Sequence, residues 1–140
     1  MSAAGPALDV GCWLLGNMGH HLFIREGKGL AVRDFDVALL RHFLIEGARR
    51  IGNAQLAGAI SGWEYQGPGV WMGIDERILS AHSPVFEAAS EVAAELGDSI
   101  AVDYLNANAG LREAVWLKPR PTADVVETLR ELQHHLSNVA

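Results

Sequence analysis

The stretch Leu56–Ile74, LAGAISGWEYQGPGVWMGI, constrains the fold more than any other part of this 140-residue chain. Two apolar runs flank Gly67-Pro68-Gly69. Proline pre-sets φ for the first central position of a type II turn, and the glycine after it takes the positive φ that the second requires. The pattern predicts a β-hairpin in the middle of a small α+β domain, with a long helix on either side in sequence to cover it. Pairing Gly67 with Val70 sets Trp63 opposite Ile74 and Tyr65 opposite Met72, and leaves Trp71 on the other face with Ile60, Glu64 and Gly73. A slipped register brings Trp63 against Trp71 instead. Gly58, Gly62 and Gly73 bare the strand backbone, which calls for a close neighbour, either a packed helix or a ligand.

The flanking chain supplies the covering elements. Leu8–Leu15 reads as a strand or edge segment ending at Gly16-Asn17. His21–Arg25 and Leu30–Arg33, joined by Glu26-Gly27-Lys28-Gly29, read as another hairpin. Lys28 between two glycines does not make a phosphate loop, because Gly29 stands where Ser or Thr belongs and Leu22 where the first glycine belongs. Asp34–Ile51 is a helix: Asp34 can cap it, Val37, Leu40, Leu44, Ala48 and Ile51 form an apolar stripe that Phe35, Leu39 and Phe43 widen, Arg49 and Arg50 suit its last turn, and Gly52 can end it. So broad a stripe suggests cover on more than one side, by a sheet and a loop or by a second copy in a homodimer.

Ser83-Pro84 opens a second helix with Val85, Ala89, Val92 and Leu96 inward and Gly97 as its stop. Ser99–Leu105 alternates around Ile100, Val102 and Tyr104 and reads as a strand. Asn106–Gly110 reads as a turn, and Glu113–Lys118 as the returning strand. After Pro119 and Pro121, Thr122 caps a last helix with Val125, Leu129, Leu132 and Leu136 inside and His134 and His135 in its final turn. The expected architecture is one α+β domain over residues 1–140, in roughly ββ-α-ββ-α-ββ-α order. It has a twisted, mainly antiparallel sheet of five to seven strands and about three helices.

Charge narrows the functions. The chain carries a net charge of −6. Residues 53–111 hold eight acids (Glu64, Asp75, Glu76, Glu87, Glu91, Glu95, Asp98 and Asp103) against Arg77 alone. Such a field repels nucleic acid and anionic lipid and attracts basic surfaces. No apolar run approaches the ~20 residues of a membrane span, and the N-terminus lacks the basic start of a secretory signal. Cys12, the only cysteine, permits no intrachain disulfide and no Cys-rich zinc site. A cytoplasmic setting is expected.

Catalytic signatures are sparse. His20-His21 and His134-His135 lack the spacing by which one helix presents two imidazoles to zinc. His20, His42 or His82 could meet a metal only across the fold. Cys12 among Val10, Trp13 and Leu14 reads as a small hydrophobe rather than a nucleophile. Gly58–Gly62 puts Ser61 one place too late for a nucleophile elbow. Glu64 and Glu113 would do acid–base work only if a pocket joined them. No cofactor and no metal is expected.

The remaining signal is the row Glu87, Glu91, Glu95 and Asp98, which shares one helix face without interleaved lysines. It suggests a docking surface for a basic, toxin-like protein, as in bacterial immunity proteins and antitoxins. Asp75, Glu76 and Asp103 would extend that surface, and an exposed Trp71 or Tyr65 would supply an aromatic anchor. The alternatives are a homodimeric regulatory or small-ligand-binding domain, paired through Asp34–Ile51 with a pocket on the glycine-bearing sheet face, and a small enzyme with a His/carboxylate site.

Overall fold

The structure, a computed structural model, describes residues 20–25, 28–112 and 114–137. The expected edge segment Leu8–Leu15, with Cys12, and the positions of Glu26, Gly27 and Glu113 lie outside the described residues. The chain is dominated by helix. In order it forms β1 (His20–Arg25), β2 (Lys28–Arg33), α1 (Asp34–Arg50), α2 (Ala54–Ser61), β3 (Glu64–Gly67), β4 (Val70–Met72), α3 (Glu76–Ser80), α4 (Pro84–Ala94), β5 (Ser99–Ile100), α5 (Val102–Asn108), β6 (Arg120–Pro121) and α6 (Thr122–Ser137). Among the described residues the strands form three separate two-stranded ladders, β1-β2, β3-β4 and β5-β6. This overturns the expected five-to-seven-stranded sheet with three helices.

Two misread segments account for the difference. Leu56–Ser61 is helix, not strand: Asn53 Oδ1 accepts from Leu56 N at 3.0 Å, and Leu56, Ala57 and Ile60 turn inward at helical spacing. A side-chain cap on an Ala- and Leu-bearing segment favours helix. Residues 102–108 are also helix. The alternation of Ile100, Val102 and Tyr104 spans too few residues to separate a period of 2 from 3.6, and the buried pair Leu105 and Ala109 stands four apart. The expected return strand over 113–118 reduces to a bridge between Leu111 and Ala114. There the amide of Asn106 takes the place of a strand partner, accepting from Trp116 N at 2.7 Å and donating to Trp116 O at 3.1 Å.

Helix α1 is central. Helices α2, α4, α5 and α6 and both strands of the first hairpin touch it. Its stripe is wide because the chain's own elements cover it, leaving Val37, Phe43, Leu44 and Ala48 fully buried. Helix α4 packs tightly against it at Gly47, where a Cβ would stand 2.7 Å from Ala89 N and 2.9 Å from Val85 O. Helix α6 buries Val125, Leu129, Leu132 and Leu136, as the spacing predicts. One cluster of buried side chains runs from Phe23 to Leu136.

The cap of α1 differs from expectation. Arg33 holds the N-cap position and Asp34 is the first helical residue, 0% exposed, with its carboxylate turned away toward the second hairpin. Helix α4 has no side-chain cap bond from Ser83, and Thr122 begins α6 rather than preceding it. The Thr122 hydroxyl donates to Gly97 O at 2.5 Å, and its N–H to Asp98 O at 2.9 Å.

Candidate functional site: a cleft beside the second hairpin

The hairpin β3-β4 keeps the expected turn but not the expected register. Gly69 has φ +76°, as a type II turn requires, and Gly67 pairs with Val70. A bulge at Gln66 then shifts the ladder, so Tyr65 faces Trp71 and Glu64 faces Met72. Tyr65 and Trp71 meet edge to face with ring centroids 5.4 Å apart. The backbone bared at Gly73 is approached by the chain itself, since a Cβ there would lie 2.6 Å from Gly62 O.

Beside this hairpin lies a cleft of about 460 Å³, walled by the hairpin, by Ala38 and Arg41 of α1, and by residues 108–112. That volume falls within the range of small-ligand sites. Its aromatic wall comprises Trp63, Tyr65 and Trp71, and its polar groups include Arg41, Glu64, Gln66, Asn108 and Arg112.

Both arginines are held by backbone carbonyls between the end of α2 and the start of the hairpin. Arg41 Nε donates to Trp63 O at 3.1 Å and Nη2 to Ser61 O at 2.7 Å. Arg112 Nη2 donates to Tyr65 O at 2.8 Å. Among the described residues, no carboxylate stands within 4.0 Å of either guanidinium. Glu64 also lines the cleft, where its Oε1 accepts from Gln66 Nε2 at 3.1 Å.

The floor is fixed from behind. The buried Asp34 carboxylate accepts from Gly69 N at 2.8 Å and from the Trp71 indole at 3.1 Å, which ties the turn to the start of α1. Arg112 belongs to the loop that Asn106 pins through Trp116, whose indole in turn donates to Ala109 O at 2.8 Å. Next to Arg41, His42 Nε2 lies 2.8 Å from the Tyr104 hydroxyl and joins α1 to α5. Burial lowers the His42 pKa against a smaller opposing effect of Glu46, and burial raises that of Tyr104.

The acidic residues singled out from sequence are not drawn together with the aromatic ones. Glu87, Glu91, Glu95, Asp98 and Asp103 are exposed, and none of them lines the cleft. Glu95 is bound through both oxygens by Arg50, at 2.5 and 2.8 Å, which lowers its pKa. Asp75 caps α3 by accepting from Arg77 N at 3.0 Å and stands 3.6 Å from the Arg77 side chain. Glu76 begins the same helix and is half-buried. Tyr65 is only 8% exposed and Trp71 half-buried, so both belong to the cleft wall rather than to a protruding anchor.

Sequence reasoning missed Arg41 and Arg112. They stand 71 positions apart, outside any motif, and the one available hint was a charge inside the apolar stripe of α1. Among the described residues, no group of three or more His, Cys, Asp or Glu side chains is placed to hold a metal ion. Nor is any helix among them long and apolar enough to cross a membrane. Comparison with known proteins finds no matching family model, no similar curated protein and no similar solved structure.

Proposed function

We propose that this protein is a small-ligand-binding module whose site is the cleft between α1, the second hairpin and residues 108–112. The observation that carries this reading is the convergence there of three aromatic side chains with two guanidinium groups that lack a carboxylate partner among the described residues. Ligand sites combine apolar walls with a few fixed polar groups, and this cleft has both. Its arginines are pre-aimed by carbonyl bonds, which cuts the ordering cost of binding. The single cysteine suits the cytoplasmic setting expected from sequence.

The test is a thermal-shift screen of a broad metabolite set, followed by tryptophan fluorescence titration of the compounds that bind. Asn108→Trp, which fills the cleft from an exposed position, should abolish the shifts. Compounds that stabilise the variant and the parent equally would place binding elsewhere and refute the reading.

A second reading keeps the acidic surface. Glu87 and Glu91 lie one turn apart on α4, exposed, with no cation in ion-pairing range among the described residues. They supply charge for capture of a basic protein, in the manner of an immunity protein or antitoxin. The pair Glu87→Lys/Glu91→Lys tests it against a panel of basic proteins. Capture and salt sensitivity that survive the double substitution would remove α4 from the interaction.

A further inference from the structure

We infer that the ligand of this cleft carries a phosphate group, held between Arg41 and Arg112. The inference rests on the small-ligand reading and adds the chemistry that the two guanidiniums select. They are anchored on the carbonyls of Trp63, which precedes β3, and Tyr65, which lies within it, two residues apart. Two residues of chain span at most about 7 Å, so both guanidiniums are anchored on one short stretch of backbone.

Each anchor uses only part of its guanidinium. Arg41 spends Nε and one Nη2 hydrogen on Trp63 and Ser61, which leaves both Nη1 hydrogens and the other Nη2 hydrogen for a ligand. Arg112 spends one Nη2 hydrogen and keeps Nε, both Nη1 hydrogens and the other Nη2 hydrogen. A carboxylate has two oxygens and satisfies one such fork. A phosphate monoester has three terminal oxygens and can take a fork from each arginine at once.

The local charge fits an anion although the molecule as a whole does not. Arg41 and Arg112 against Glu64 leave one net positive charge in the cleft, inside a chain of net −6. Glu64 is turned to Gln66, and in the complex it would repel a second anionic group, so the ligand is a monoester rather than a polyphosphate. The Trp71 and Tyr65 rings flank the same space and suit a flat group on the ester oxygen.

Phenyl phosphate, benzoate, inorganic phosphate and the neutral phenyl glucoside are titrated into the full chain and followed by tryptophan fluorescence, in the parent, Arg112→Gln and Arg112→Lys. Thermal melts confirm that each variant is folded. Phenyl phosphate should saturate, at least tenfold tighter than benzoate. Arg112→Gln should weaken it at least tenfold, and Arg112→Lys should recover only part of the loss because an ammonium cannot fork. Equal affinity for phenyl phosphate and phenyl glucoside, or no change in Arg112→Gln, overturns the phosphate assignment and leaves the small-ligand reading standing. If none of the four perturbs the tryptophans, the phosphate assignment also falls, while the metabolite screen judges the broader reading separately.

Discussion

The Asp34 carboxylate accepts a hydrogen bond from the Trp71 indole at 3.1 Å while its other oxygen accepts from Gly69 N at 2.8 Å. A fully buried acid at the first position of α1 thereby fixes both the turn of the second hairpin and the ring that walls the cleft. Asp34→Ala removes the acceptor of two half-buried donors, and each hydrogen bond to a charged group is worth about 1.5–3 kcal/mol. The variant should unfold at lower urea concentration, by roughly 2–4 kcal/mol, and its Trp71 indole N–H resonance should move toward the solvent-exposed position. A variant as stable as the parent would refute the tie.

Gly47 sets the α1–α4 crossing. Glycine to alanine within a helix ordinarily gains about 1 kcal/mol. Here the added Cβ would meet Ala89 N at 2.7 Å, a backbone atom that cannot swing aside. Overpacking of this kind costs about 1–3 kcal/mol, so Gly47→Ala should be destabilising rather than stabilising. Urea titration gives the sign directly.

Burial holds the His42 pKa below its ordinary value of 6.5. The unfolded chain therefore binds a proton at that imidazole before the folded chain does. Stability from this group is complete above pH 6.5 and is lost as the pH falls from there through the folded value. The urea midpoint should drop as the pH is lowered from 7, and His42→Gln should flatten that part of the profile. An unchanged slope in the variant would show that another group is responsible.

Asn106 substitutes for a strand by bonding both backbone groups of Trp116. Asn106→Ala should cost about 1–3 kcal/mol and should weaken ligand binding as well, because the loop carrying Arg112 loses its fixing point. Loss of stability with binding intact would mean that Arg112 is positioned independently of that loop.

Local chemistry made much of the framework legible. The first hairpin forms between the two expected segments, although Lys28 and Gly29 pair within β2 instead of turning. Helix α1 follows its apolar spacing from Val37 to Ala48 but leaves Ile51 exposed, α6 follows its own throughout, and Pro68-Gly69 turns as its residues dictate. The sheet did not follow, because segments such as Val102–Leu105 are too short for period alone to separate strand from helix, and because the cap that makes 54–61 helical is one Asn53 side chain ahead of an apolar run. The cleft was legible only in part. Tyr65 and Trp71 stand out as aromatic residues near a turn, but their partners Arg41 and Arg112 come from α1 and from the loop after α5. Only tertiary packing brings those four side chains together. The acidic run was plain in sequence, yet Arg50, from the far end of α1, takes Glu95 out of it.

Backbone and side-chain amide shift mapping during titration with phenyl phosphate tests the central claim most directly. The shifts should concentrate on the Trp71 indole, Gln66, Asn108, Gly110 and Arg112 and saturate together. Shifts confined to α4, around Glu87 and Glu91, would contradict the assignment of the cleft as the binding site.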